Sequence, residues 1–150
     1  MNYLIVGAIV IILMVLYLHH SNIRRKKKKI QQLRSDWGKP KSEPFYFDPI
    51  RAYSDSVRGN SFHTLSEQTI NDIDFYGLFA FVDRTVSRVG QQYLFKKMIQ
   101  PTREAEDKLE RVIDLFTQNR NAREEVQFQL TKLSNHDAYY IQSLLKDNLI

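Results

Sequence analysis

The chain contains no cysteine and no recognisable catalytic motif. Its 150 residues include no Cys, 5 Gly and 4 Pro, so a disulfide scaffold is excluded. The sequence also lacks the phosphate loop G-x-x-x-x-G-K-[ST], the dinucleotide fingerprint G-x-G-x-x-G and the zinc motif H-E-x-x-H. We therefore predict no catalytic residue, no cofactor site and no metal site within these residues.

Neither the histidines nor the charged residues outside the basic run form a predicted site. His63 and His136 are far apart in the sequence, and the adjacent pair His19-His20, which could bind a metal ion, is interpreted as the flank of a membrane span. The other candidates are expected on solvated helix faces or at helix starts; they are Asp83, Arg84, Glu104, Glu106, Asp107 and Glu110.

Charge is also absent from a long stretch at the N-terminus. From Tyr3 to Leu18 every residue is apolar, Gly or Tyr, and the first charge is Arg24. As a helix these residues span roughly 24 Å, somewhat less than the ~30 Å hydrocarbon core of a bilayer. Tyr3 and Tyr17 can lie at the two interfaces, and a helix satisfies its own backbone hydrogen bonds in lipid. Residues 1–20 are therefore predicted to form a transmembrane helix.

The order of the apolar and basic segments favours an anchor over two alternatives. A cleaved signal peptide carries its positive charges before the apolar run, whereas here Arg24 to Lys29 follow it. A buried core helix of a soluble protein rarely lacks polar side chains over this length. Because basic residues next to a span remain in the cytoplasm, we expect a single-pass protein of the bacterial plasma membrane, with its N-terminus outside and its C-terminal domain cytoplasmic.

The basic charge of the chain is concentrated beside this span. Lys and Arg total 22 against 17 Asp and Glu, and without the six-residue run they total 16 against 17. Nucleic-acid-binding domains usually carry a Lys/Arg excess of their own. We predict that the run contacts anionic lipid head groups, at roughly 1 kcal/mol per residue, while a nucleic-acid contact is the alternative. The run consists of Arg24, Arg25, Lys26, Lys27, Lys28 and Lys29.

Residues 21–64 are interpreted as this juxtamembrane segment followed by a connector rich in proline and aromatic residues. Pro40, Pro44 and Pro49 prevent a long helix between Gln31 and Thr64. The aromatic residues are too numerous for a disordered linker; they are Trp37, Phe45, Tyr46, Phe47 and Tyr53. We expect an extended connector whose aromatic side chains dock on the following domain or on a partner.

Residues 65–150 show helical periodicity throughout, with no convincing alternating strand. The sequence predicts five helices, started in part by Ser87, Thr102, Asn121 and Asn135, and ended in one case before Pro101. The expected inward-facing residues are, helix by helix, Phe75, Leu78, Phe79, Val82, Val86; Leu94, Phe95, Met98, Ile99; Leu109, Val112, Ile113, Phe116; Val126, Leu130, Leu133; and Ile141, Leu144, Leu145, Leu149. We therefore predict an all-α domain, and we expect it to be incomplete.

One block within this domain resembles a known family. The run from Asp83 to Pro101, D-R-T-V-S-R-V-G-Q-Q-Y-L-F-K-K-M-I-Q-P, resembles the entry to the helical core of MutS-type DNA mismatch-repair ATPases. Glu110 to Phe116 is similar to that family's next helix, and the stretch Arg34 to Pro40, with its W-G-K-P, is similar to the membrane-anchored members. The chain has no room between the anchor and this block for the mismatch-reading domain of the soluble members.

The resemblance implies a function that these residues do not carry alone. It implies a DNA-dependent ATPase that uses ATP and Mg²⁺ in a C-terminal domain, and it allows a homodimer. DNA binding would then depend on segments beyond this chain, and the block at Asp83 would belong to a helical lever. Two alternatives stay open: a membrane-tethered adaptor that binds a protein through residues 141–150, and a protein whose partner is the lipid surface.

Overall fold

The computed structural model describes residues 2–57, 63–101 and 106–147, and within these ranges all regular structure is helical. The all-α prediction is confirmed for them. The α-helices are α1 (Asn2–Asp36), α2 (Phe47–Ser56), α3 (Glu67–Asp72), α4 (Phe75–Val82), α5 (Arg88–Ile99), α6 (Glu106–Gln118), α7 (Arg120–Leu130) and α8 (Ile141–Asp147). Two 3-10 helices, Thr131–Leu133 and His136–Tyr140, lie between α7 and α8. The chain divides into two compact units, Met1–Asp36 and Trp37–Ile150.

The first unit is the single helix α1, which is 35 residues long. Its segment from Ile5 is long and apolar enough to cross a membrane, a test of length and composition that a signal sequence also passes. The helix continues past the predicted span to Asp36, and α2 also lies within the predicted connector, so the expectation of an extended connector is wrong for residues 31–36 and 47–56. Arg, Lys, Gln and Leu are good helix formers, so the basic run and the residues after it extend the helix.

A glycine follows the end of α1. Gly38 has φ +76°, a left-handed conformation that glycine adopts without strain. A left-handed glycine just past the last helical residue is a common helix stop, and Pro40 two positions later cannot continue a helix. The W-G-K-P stretch therefore has a local structural role, because it ends α1 and starts the second unit.

The second unit has a small aromatic and aliphatic core. Phe95 of α5 is fully buried and contacts two rings edge-on, Phe79 at 5.1 Å and Phe75 at 5.4 Å between centroids. The other buried members of the cluster are Ile50, Ile70, Ile99 and Tyr139. Phe45 and Phe47 of the connector pack against this cluster, so the expectation that connector aromatics dock on the following domain is confirmed for these two.

The first predicted helix, with the stripe Phe75 to Val86, corresponds to α4, and α3 precedes it as a separate helix. Asp74, at φ +46°, interrupts the chain between α3 and α4, and its carboxylate accepts a hydrogen bond from the Gly77 amide as the cap of α4. Phe75 and Phe79 are buried as predicted. Val86 lies beyond α4, and the two remaining members of the predicted stripe, Leu78 and Val82, are exposed.

The prediction for α5 is confirmed, whereas those for the next two helices are wrong in part. Ser87 caps α5, and Pro101 follows its end at Ile99. Asn119, and not Asn121, caps α7, because its side chain accepts from the Ala122 amide and the helix already begins at Arg120. Several residues expected to face inward are exposed instead: Leu109, Val112, Ile113, Val126, Leu130 and Leu144. The predicted helix start at Thr102, the predicted helix-start charge Glu104 and the inward position of Leu149 lie outside the described residues, as do the side chains of Glu106, Asp107 and Leu145.

Candidate functional site

The block that resembles the MutS family, Asp83 to Pro101, includes the turn after α4 and all of α5. Its residues 83–90, which link α4 to the first turn of α5, are called the junction here. Asp83 ends α4 as its C-cap, and Ser87 begins α5 as its N-cap. Asp83 was expected on a solvated face, but it is fully buried. An ionised carboxylate in such a place requires partners, because burial without hydrogen bonds or opposite charge is strongly unfavourable.

Asp83 has such partners at both carboxylate oxygens. Oδ1 accepts from the Thr85 amide at 2.8 Å and from Thr85 Oγ1 at 2.7 Å. Oδ2 accepts from Lys41 Nζ at 2.8 Å and from Gln91 Nε2 at 2.6 Å. Charge-assisted hydrogen bonds of this kind are shorter and stronger than neutral ones. The Asp83 carboxylate thus joins the connector, the loop and α5.

The network continues through two glutamines of α5. Gln91 Oε1 accepts a hydrogen bond from the Tyr139 hydroxyl. Gln92 Nε2 donates to the carbonyl of Pro49 at 2.7 Å and to that of Tyr139 at 3.1 Å. Burial raises the pKa of Tyr139, although the neighbouring Arg88 guanidinium acts in the opposite direction. These contacts connect α5 to α2 and to the 3-10 helix His136–Tyr140.

Ser87 and Gly90 fix the start of α5. Ser87 Oγ accepts from the Gly90 amide at 3.0 Å, which satisfies one of the free donors of the first turn. A Cβ at Gly90 would lie 2.8 Å from Ser87 Oγ. The space that the absent Cβ leaves is therefore occupied by the capping side chain.

Two arginines complete the junction on its outer side. Arg84 donates to the carbonyls of Gly38 at 3.1 Å and Phe81 at 2.6 Å. Arg88 forms a two-pronged ion pair with Glu43, with both N···O distances 3.0 Å. Burial is the largest single influence on the pKa of Arg88 and would lower it, but the hydrogen bonds and charge of Glu43 together with the interactions with Tyr139 outweigh it and raise the pKa. Arg84 was expected to be solvated, whereas it is half-buried and bonded to the backbone.

The side chains of this junction hold helices and loops in position. Asp83 accepts two hydrogen bonds at each oxygen, and its neighbours Thr85 and Gln91 are engaged with it. Among the residues described, no group of three or more His, Asp or Glu could hold a metal ion. The arrangement can fix the angle and the register at which α5 leaves the loop, because its bonds reach three separate elements.

The six predicted lipid-contacting residues, Arg24, Arg25, Lys26, Lys27, Lys28 and Lys29, all lie on α1. Six consecutive residues exceed one helical turn of 3.6 residues, so their side chains surround the helix as a basic collar. Lys26 and Lys29 are half-buried and the other four are exposed. Lys29 Nζ donates to Gln32 Oε1 at 3.2 Å. The collar is separate from the junction at Asp83 and belongs to the first unit.

Sequence reasoning missed the partners of the junction. Lys41 is 42 residues from Asp83, and Tyr139 is 48 residues from Gln91. No local sequence pattern predicts contacts over such separations. The link between Asp83 and Thr85 did have a local signal, because an Asp that bonds the amide two residues later is a recurrent turn.

No family model, no curated protein and no solved structure matches this chain. The likeness to the MutS family therefore depends on the residue pattern given above.

Proposed function

We propose that this chain is the N-terminal part of a membrane-anchored, MutS-like ATPase that acts on DNA. In this proposal α1 is the anchor and the unit from Trp37 onward is part of a helical lever. ATP hydrolysis and DNA binding belong to segments that would follow Ile150. The chain itself would position those segments.

The observation that carries the proposal is the role of the resembling residues in the junction. Asp83, Thr85, Ser87 and Gly90 each make a contact that fixes where α5 begins. A lever must hold its shape under load, and the four hydrogen bonds to the Asp83 carboxylate favour this because they join three elements of the fold. A motif that served only as helix surface would not need the fully buried carboxylate at Asp83.

The second part of the proposal is that α1 crosses the bacterial plasma membrane with its N-terminus outside. The rise of 1.5 Å per residue puts Arg24 about 9 Å and Lys29 about 17 Å beyond Leu18 along the helix axis. The head-group layer is roughly 5–8 Å thick on each side, and the Debye length is about 8 Å at physiological salt. Arg24 and Arg25 therefore interact most strongly with anionic head groups, and Lys28 and Lys29 least.

The orientation can be tested cleanly because the chain has no native cysteine. Tyr3→Cys and Ser134→Cys, both at exposed positions, provide single labels on the two sides of the span. In intact spheroplasts a membrane-impermeant maleimide is expected to label position 3 and to reach position 134 only after lysis. The reverse pattern, or labelling of both, would refute the orientation. Replacing the six collar residues with Gln is expected to produce mixed orientations.

The link to the MutS family is tested by the gene and by the purified chain. A reading frame that continues past Ile150 into a phosphate-loop motif supports the proposal, and a stop codon at that point rejects it. The 150-residue chain in nanodiscs should not hydrolyse ATP. Residues 30–150, without the basic run, should also not bind duplex DNA with micromolar or better affinity at physiological salt, since Lys and Arg do not exceed Asp and Glu there.

A membrane-tethered adaptor is the second candidate, and the exposed residues of α6 favour it. Leu109, Val112 and Ile113 are 59%, 44% and 53% exposed, although they follow one stripe of the helix. In the adaptor hypothesis a separate protein covers this stripe; in the MutS-like hypothesis downstream parts of the same protein do. Two results together would establish the adaptor. One partner copurifies with the 150-residue chain and is lost in the Ile113→Asp variant, and the gene has a stop codon after Ile150.

A further inference from the structure

Residues 37–47, here called the strap, connect the end of α1 to α2. They are part of the second unit and contact the rest of it at several points. They contain no helix before Phe47. Three side chains at alternate positions, Lys41, Glu43 and Phe45, reach the loop before α5, the first residue of α5, and α4 respectively. An irregular segment has no backbone ladder of its own, so such contacts determine its path.

The charges of the strap are arranged in a fixed order. Lys41 is positive and pairs with the buried Asp83, and Glu43 is negative and pairs with Arg88. A slip of the strap by two residues would bring the Glu43 carboxylate toward Asp83, where like charges repel and a buried carboxylate would lose its ammonium partner. The two ion pairs therefore select one register.

The N-terminal end of the strap is held by different contacts. The Trp37 ring stacks on the Arg123 guanidinium, with 4.0 Å from the guanidinium carbon to the ring centroid. Arg123 also donates to the Phe116 carbonyl at 3.0 Å, which ties it to the end of α6. Next to Trp37, the Gly38 carbonyl accepts a hydrogen bond from Arg84 Nε.

We infer that the strap acts as a clasp over the start of α5. Its two ion pairs fix its register, and its contacts from Trp37 to Phe45 form and break together. Breaking the Glu43–Arg88 ion pair would then also loosen the contacts of Trp37. Conversely, displacing Trp37 would weaken the ion pair at Arg88, the first residue of α5. This inference does not depend on the proposed function, because it concerns contacts within the second unit alone.

Trp37 provides a native probe of the clasp, since it is the single tryptophan of the chain. We would measure acrylamide quenching and fluorescence anisotropy of Trp37 in the full chain in nanodiscs. Glu43→Arg and Arg88→Glu are each expected to raise the quenching constant toward twofold, because Trp37 is 52% exposed in the clasped state. Arg123→Gln removes the stacking partner directly and sets the upper limit.

The charge swap Glu43→Arg with Arg88→Glu is expected to restore protection of Trp37 relative to either single variant. The matched control is Glu67→Arg, which breaks the ion pair with Arg51 on another part of the surface and should leave quenching unchanged. The clasp is refuted if the single variants leave Trp37 unaffected, if the swap restores nothing, or if Glu67→Arg has the same effect. Should Arg88→Glu fail to fold, Glu43→Gln tests the same coupling, since the Glu43 side chain is 47% exposed.

Discussion

Replacing Asp83 with asparagine is expected to lower the free energy of unfolding of the second unit by about 3 kcal/mol. The buried carboxylate accepts two hydrogen bonds at each oxygen. Asparagine has the same shape but only one acceptor atom, so its NH₂ group must face either the two Thr85 donors or Lys41 and Gln91. In either arrangement the Lys41 ammonium, whose side chain is 15% exposed, loses its counter-charge, and in the second it also loses the oxygen that accepts its hydrogen bond.

The size of the expected stability loss depends on which hydrogen bonds can form again after the substitution. Gln91 can rotate its amide and accept a hydrogen bond from the new NH₂ group, although the Tyr139 hydroxyl then loses its acceptor. Lys41 keeps the Thr85 hydroxyl as an acceptor at 3.2 Å but gains no other counter-charge, and removing one partner of a buried ion pair costs roughly 3–5 kcal/mol. The partial exposure of Lys41 puts the expected loss at the lower end. That is a large share of a typical stability of roughly 5–15 kcal/mol.

The assay is urea unfolding of the full chain in mild detergent, followed by far-UV circular dichroism and by Trp37 fluorescence. Asp55→Asn is the matched control. Its side chain is 60% exposed in the pair with Arg51, so its removal should change stability by less than about 0.5 kcal/mol. A loss below about 1 kcal/mol for Asp83→Asn would refute the view that this carboxylate holds the junction together.

Three further changes test separate features. Gly90→Ala should cost about 1 kcal/mol by displacing the Ser87 cap, whose Oγ would lie 2.8 Å from the new Cβ. In a Ser87→Ala background the same change should be neutral or stabilising, since alanine is the better helix former; additive urea midpoints would contradict this. Because the pKa of Tyr139 is raised, its contribution is complete below about pH 10 and is lost as the pH rises through the folded-state pKa. The difference in Tm between the native chain and Tyr139→Phe should therefore shrink above that pH, and a constant difference to pH 11.5 would speak against it. Ile113→Asp should change stability by less than about 0.5 kcal/mol, because the side chain is 53% exposed; a loss above about 2 kcal/mol would show that α6 is packed inside the domain.

The features that the sequence predicted well are those with local signals. The start of α5 at Ser87, its end before Pro101 and its buried residues Phe95 and Ile99 all follow from a cap, a stop and a helical period. The all-helical character follows from the same periodicity. The docking of Phe45 and Phe47 was predicted only as one of two options, because composition does not say which surface an aromatic side chain meets.

The features that the sequence did not predict depend on distant partners. The stripe of α6 has a helical period, yet a period shows only that one face is apolar and not that something covers it. Asp is a residue type usually found at the surface, and the counter-charge that makes the burial of Asp83 tolerable comes from Lys41, 42 positions earlier. The left-handed cap at Asp74 is an exception, because it was not predicted although its contact with the Gly77 amide is local.

In the proposed membrane-spanning role, the continuation of α1 to Asp36 makes this helix a lever arm as well as a tether. Eighteen residues separate Leu18 from Asp36, which is about 27 Å along the helix axis and roughly three Debye lengths at physiological salt. For an α1 that crosses the bilayer, lipid charge therefore has little influence at Asp36. A tilt of about 20°, the average for such helices, would displace Asp36 sideways by roughly 9 Å. A change of a few degrees in the tilt of α1 within the membrane would thus displace Asp36, the residue before the strap, by about one ångström or more.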